Sequence, residues 1–146
     1  MRHAESSNGY PGLADHDRPL NARGRSDASR VASTLAEREW LPQLVLVSSS
    51  TRTLETLEAM APHIEGARTG IRSEIYHAGI STLLIQLEDI LEEDTTMILG
   101  HNPGTEVLIS HLTGEWHAMP PAAAALLAES GGDWSIEGII HPRELD

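Results

Sequence analysis

The chain has no cysteine and no phenylalanine, and aromatic residues make up only 3% of it. The first absence removes disulfides, thiolate metal sites and cysteine nucleophiles together. The second leaves aliphatic side chains and alanine to fill the core. No apolar run approaches the roughly 18 to 20 residues a bilayer-spanning helix needs, and no secretory signal is recognisable, so a cytoplasmic address is expected. Positive charge is also scarce: 10 basic against 22 acidic residues give a formal charge of -12. Such a chain repels nucleic acid and anionic membrane surfaces, so neither is expected as a partner, and any anion site must be a local cluster of cations.

What is present fits one ordinary globular domain spanning residues 1–146, with 40% hydrophobic and 22% charged residues. Residues 5–26, crowded with Gly, Pro, Asn, Asp and Ser, read as a long ordered loop ending in a helix start near Ser26. From Asp27, the spacing of Ala28, Val31, Ala32, Leu35 and Trp40 predicts a helix closed by Pro42. "QLVLVSSS" follows as a buried strand, and a helix is expected from about Thr53 to Ala61. "IRSEIYHAG" reads as a short strand and loop, and Leu83, Leu84, Leu87 and Ile90 mark one face of a helix over about Ser81 to Leu91. "TTMILGHNPG" is a strand running into a turn, and "TEVLISHLTG" a helix stopped by Gly114. In the tail, Gly131, Gly132 and Asp133 between two apolar runs predict an antiparallel hairpin, although four consecutive alanines favour helix on propensity. This alternation predicts an α/β fold: a mostly parallel central sheet flanked by helices, with functional loops at the carboxyl ends of the strands.

Three separated segments each place a cation, or a side chain that can become one, in such loops: Arg2 with His3, Arg52, and His101. Two guanidiniums can grip the nonbridging oxygens of a phosphoryl group, and a histidine facing it can act as nucleophile or as donor, according to its protonation state. Taken alone, an Arg-His pair is most often solvated surface.

The runs "RHAESS", "DHDRPLNARGRSDA", "SSSTRTLET", "LGHNPGTE" and "MPPAAAA" occur in the order found in the histidine phosphatase superfamily, and from Met1 to about Ala128 the chain resembles the small SixA-like phosphohistidine phosphatase branch of that phosphoglycerate mutase-like group. The resemblance implies a phosphatase in which His3 is the nucleophile and carries a covalent phosphohistidine, Arg2 and Arg52 clamp the phosphoryl oxygens, and His101 donates to a transferring oxygen. Ser6 and Asn102 would complete the phosphate pocket as neutral donors. Glu74 falls roughly where many members place the acid that protonates the leaving group, with Asp17 behind it. The expected substrate is a phosphohistidine protein; the alternatives are a small phosphorylated molecule, or a noncatalytic phosphate-binding module on the same fold. No cofactor is implied. Family members carry an apolar strand immediately before the Arg-His pair, where this chain has only Met1. The resemblance therefore implies that this first strand is missing, that the natural product begins several residues upstream, and that His3 sits on a terminus with no evident anchor.

Other readings are weaker. The chain has 8 histidines, but none forms His-Glu-x-x-His, so no metal site is expected. "GHNPG" lacks the Lys-Ser/Thr of a phosphate-binding P-loop and the three glycines of a dinucleotide fingerprint. Ser48, Ser49 and Ser50 lack the Gly-x-Ser-x-Gly elbow of a serine hydrolase. The acidic "EDILEEDTT" reads as a solvated helix face and its cap.

Overall fold

A computed structural model of the chain describes residues 1–88, 90 and 94–146. Its centre is β1 (Leu44–Ser48), flanked in parallel by β2 (Arg68–Arg72) and β3 (Thr96–Leu99) in the order β2-β1-β3. Alternate residues of a strand point to opposite faces. Val45 and Val47 accordingly pack with Val31 and Leu35 of α1 (Ala22–Glu37) and Met60 of α2 (Thr51–Met60). Leu46 packs the other way, with Leu83 of α3 (Ile80–Leu87) and Leu108 of α4 (Gly104–Thr113). Both faces of the sheet are thus covered, which is why "LVLV" is continuously apolar rather than alternating.

The expected hairpin is β4 (Ala124–Ser130) paired antiparallel with β5 (Asp133–Ile140), its Gly131 and Gly132 both at positive φ. β-pairing across a two-residue turn therefore overrides the helix propensity of the alanines. An apolar cavity of about 180 Å³ lies between the sheet and this hairpin, lined among others by Met97, Ile98, Leu108, Ala125 and Leu127.

Two expectations need correction. The first long helix begins at Ala22, not near Ser26, because the Asn21 side chain accepts from Gly24 N and caps it. The "NARGRS" run hides this start behind polar and glycine residues that read as loop. The helix also ends at Glu37, before Pro42, with Glu39 at positive φ turning the chain so that Trp40 N donates to Leu35 O. The expected end of the helix over Ser81–Leu91 lies outside the described residues; α3 itself ends at Leu87.

The amino terminus departs most from expectation. Residues 1–4 form no full strand, yet they are held from two sides. Met1 N donates to Ile98 O, Gly100 N to Met1 O and His3 N to Gly100 O. On the other flank Arg2 N donates to Ala123 O, and Ala122 N to His3 O. His3 is therefore fixed between the end of β3 and the start of β4.

Gly24 shows how closely the loop carrying Glu5 lies on α1: a Cβ there would stand 2.1 Å from Glu5 O. That obstacle is backbone, so neither side can yield cheaply. Although Ala is the better helix former, Gly24→Ala is expected to destabilise the protein by about 1–3 kcal/mol in urea unfolding. A stabilised variant would show that the loop is free to move.

Candidate active site

Each element of the site ends where the sheet delivers it. β1 terminates at Ser48, and Ser50 caps α2 by accepting from Thr53 N. The first turn of that helix then carries Arg52, which is 4% exposed. β3 ends at Leu99, and Gly100 leads into His101, 5% exposed. His3, 7% exposed, comes from the terminal segment, and its ring centroid lies 5.3 Å from that of His101. A bond from Ala4 N to Thr56 Oγ1 ties this segment to α2, and the same hydroxyl donates to Arg52 O.

The tautomer of His3 follows from its partner. Nδ1 lies 2.7 Å from Ala4 O. A carbonyl can only accept, so Nδ1 carries the hydrogen and Nε2 of the neutral ring keeps its lone pair. Burial lowers the pKa of His3 to about 4; the Ala4 bond opposes this, while Arg52, Arg2 and Arg18 add to it. Desolvation is thus the larger cause, and three arginines add to it.

His101 is neutral in this state. Its pKa is lowered to about 3, first by burial and then by His3, Arg52 and His77. Its Nε2 is 2.8 Å from Ser48 Oγ, and its buried Nδ1 has no hydrogen-bond partner among the described residues. A charged His101 would need a carboxylate to hold its proton; the Asp15 carboxylate acts in that direction, but by less than burial and the neighbouring groups lower the pKa, and the hydrogen-bond partner of Nε2 is a serine hydroxyl. A phosphoryl dianion placed between the two histidines would raise both pKa values by direct attraction.

Arg2 donates through Nη1 to Met119 O, and its buried Nε has no hydrogen-bond partner among the described residues. Arg52 is engaged by Asp15, donating Nη1 to the main-chain oxygen at 2.8 Å and Nη2 to Oδ2 at 3.0 Å. Ser6 Oγ accepts from Arg18 Nη2, which leaves its own hydroxyl hydrogen available. Asn102 is largely committed to structure: Nδ2 donates to Met119 O and Oδ1 accepts from the Thr105 hydroxyl. Glu74 lies exposed in the 3-10 turn Ser73–Ile75, and among the described residues no hydrogen bond or ion pair joins it to the histidines or arginines of the site. Asp17 faces His16 at 3.6 Å instead.

Several site residues escaped sequence reasoning. Asp15 joins the cluster through Arg52, through Arg18 Nη1 on Oδ1, and through the Tyr76 hydroxyl on Oδ2. These three partners hold its carboxyl well below the usual range, the Tyr76 bond most. Tyr76 stacks on His77 at 4.1 Å, and both rings stand edge-on to His101. Arg18, within "DHDRPLNARGRSDA", is brought to the site by its bonds to Asp15 and Ser6. Asp15, Tyr76 and His77 carry no local pattern that marks them; only the fold brings them to Arg52. Among the described residues, no three His, Asp or Glu side chains converge to hold a metal ion.

A model of the histidine phosphatase superfamily, branch 1, matches residues 1–75, the stretch that carries His3, Arg18 and Arg52. The chain belongs to that superfamily. A chloroplastic protein of Arabidopsis thaliana, its function uncharacterised, is 34% identical over 165 residues, covering 97% of this chain and 76% of its own length. The crystal structure of a candidate phosphohistidine phosphatase, SixA, from Agrobacterium tumefaciens superimposes with a TM-score of 0.89 at 28% identity, covering 97% of this chain and 95% of that one. The protein histidine phosphatase SixA complexed with tungstate also gives 0.89, at 22% identity over 100% of this chain and 97% of its own, a likeness of fold. Within the superfamily this histidine phosphatase falls in the SixA-like branch, with the phosphoglycerate mutase-like fold. Among the described residues no helix is long and apolar enough to cross a membrane.

The buried, neutral histidines carry a stability consequence. Their folded pKa values lie below the unfolded value of 6.5, so the unfolded chain binds more protons as pH falls. Their contribution to stability is therefore complete above about pH 6.5 and declines as pH drops toward 4. His3→Asn should flatten that decline by up to about 3 kcal/mol in urea unfolding from pH 7 to 4, the equivalent of its own displacement. An unchanged slope would show that His3 titrates normally.

Proposed function

We propose that this histidine phosphatase removes phosphate from phosphohistidine on a protein, through a phosphoenzyme at His3. The observation that carries the reading is the bond from His3 Nδ1–H to Ala4 O, which leaves a lone pair on the Nε2 of a buried neutral ring beside the arginines. In the first step His3 Nε2 attacks phosphorus, the new P–N bond forms, and the bond to the leaving nitrogen breaks with its electron pair going to that nitrogen. Arg2 and Arg52 take the nonbridging oxygens, and His101, charged once the dianion faces it, donates to one of them. Water then attacks the phosphohistidine, His3 Nε2 recovers its electron pair, and the proton of the water leaves with phosphate or solvent. Both steps draw on side chains of this chain alone.

The choice of a P–N substrate rests on the acid. An alkoxide leaving group needs a proton, whereas an imidazole already protonated on its far nitrogen leaves as a neutral ring. Glu74 is exposed and, among the described residues, has no hydrogen bond or ion pair to the cluster, and Asp15 is held strongly ionised. Neither is placed to be a ready proton donor, which supports phosphohistidine over an alkyl phosphate. We infer a cytoplasmic address from the cysteine-free composition; the chloroplast label belongs to the Arabidopsis relative.

Turnover of a phosphohistidine peptide and of p-nitrophenyl phosphate by the protein and by His3→Ala tests this reading. The expected result is faster release from the peptide, and a loss of about 10³-fold or more in His3→Ala. Equal rates for His3→Ala and its parent would refute the nucleophile. Preference for the aryl ester would move the reading to a small-molecule phosphomonoesterase, and phosphate binding without turnover to a noncatalytic module.

A further inference from the structure

The site has a floor and a rim of different chemistry. The floor is the buried set His3, His101 and Arg52, all under 10% exposed. The rim is half-open to solvent: the side chains of Asp15, His16 and His77 are 43%, 40% and 56% exposed. Tyr76 lies between them, stacked on His77 and edge-on to His16, with Arg52 beneath its ring. A phosphoryl group drawn to the floor leaves its leaving group at the rim. That rim offers aromatic faces and the Asp15 carboxylate, whose Oδ2 also lies 3.6 Å from His77 Nε2.

From this division we propose that Asp15 selects the leaving group, the rim of Asp15, Tyr76 and His77 receiving a planar cationic ring, the protonated imidazole of a phosphorylated histidine. The inference rests on the reading above and adds the residue that makes it specific. Asp15 Oδ1 is anchored by Arg18 Nη1 at 2.9 Å, independently of Arg52. When a phosphoryl oxygen takes Arg52 Nη2, Oδ2 loses that partner while Arg18 and Tyr76 still hold the carboxylate in place. It then faces the ring that phosphorus is leaving. A negative charge there attracts the far N–H⁺ of a phosphoimidazole and repels the electron-rich oxygen of a phosphate ester.

The step balances without an external acid. Before reaction the substrate ring carries phosphorus on one nitrogen and a proton on the other, giving it a positive charge. As His3 Nε2 bonds to phosphorus, the P–N electron pair returns to the leaving nitrogen, and a neutral imidazole departs with its original proton. Asp15 takes no proton; it keeps the bound ring in the protonated form that can leave. The charged and titratable groups that face it are Arg18, Arg52, Tyr76 and His77, with His101 behind them.

The test measures kcat/KM and the kcat pH profile on phosphoimidazole and on p-nitrophenyl phosphate, for the protein, Asp15→Asn and Asp15→Glu, each checked for folding by circular dichroism. In Asp15→Asn the ratio of phosphoimidazole to aryl ester kcat/KM should fall about tenfold or more. The alkaline limb of kcat on phosphoimidazole should move down by about one pH unit, as expected when an opposite charge within reach of the ring is removed. Asp15→Glu should restore part of the ratio. An equal change on both substrates, or an unmoved alkaline limb, would show that Asp15 only orders or blocks Arg52 and would overturn the inference while leaving the function intact. A parent protein that hydrolyses the aryl ester and not phosphoimidazole would overturn both.

Discussion

The bond from His3 Nδ1–H to the carbonyl of its own neighbour Ala4 is the constraint on which the rest of this structure turns. It settles which nitrogen carries the hydrogen and which keeps the lone pair, the state that the proposed nucleophilic role of this buried histidine needs. The bond holds only if the backbone of residues 3 and 4 is immobile. That immobility comes from hydrogen bonds reaching in from Gly100, Ala122 and the Thr56 hydroxyl. The end of β3, the start of β4 and the body of α2 are thus recruited to orient one imidazole, as a preorganised site requires.

The electrostatics follow from the same burial. A chain of net charge -12, whose 10 basic residues are all arginine, gathers Arg2, Arg18 and Arg52 around one point. Arginine serves there because its planar fork matches phosphoryl oxygens and keeps its charge when partly desolvated. Burial and these three guanidiniums together disfavour protonation of His3. Glu106 and Asp15 temper the excess charge, the first through Arg2 and the second by direct ion pairs with Arg18 and Arg52.

Much of this was legible in the sequence, and for physical reasons. Val45, Leu46 and Val47 form a run that only a strand covered on both faces can bury, and Gly114 at φ 77 stops α4 where a glycine was expected to. Arg52 and His101 follow β1 and β3 because parallel strands gather their carboxyl-end loops on one edge, and Arg2 and His3 are bridged to Gly100 beside them. What stayed hidden depends on contacts distant in sequence. Asp15 reaches Arg52 across 37 positions and Tyr76 across 61, and neither spacing has a periodic signature. The anchor of His3 escaped for the same reason: Met1, Ile98 and Ala123 are brought together only by the completed sheet. The start of α1 was missed because its cap, Asn21, precedes a glycine kept for close approach to Glu5.

The central claim is that phosphate passes through the Nε2 atom of His3. Brief reaction with excess phosphoimidazole, denaturation in base and peptide mapping by mass spectrometry with ³¹P NMR would locate the trapped group. An acid-labile phosphoramidate on His3, attached at Nε2, is expected. Phosphate on another residue, on His3 Nδ1, or on none during undiminished turnover would contradict it.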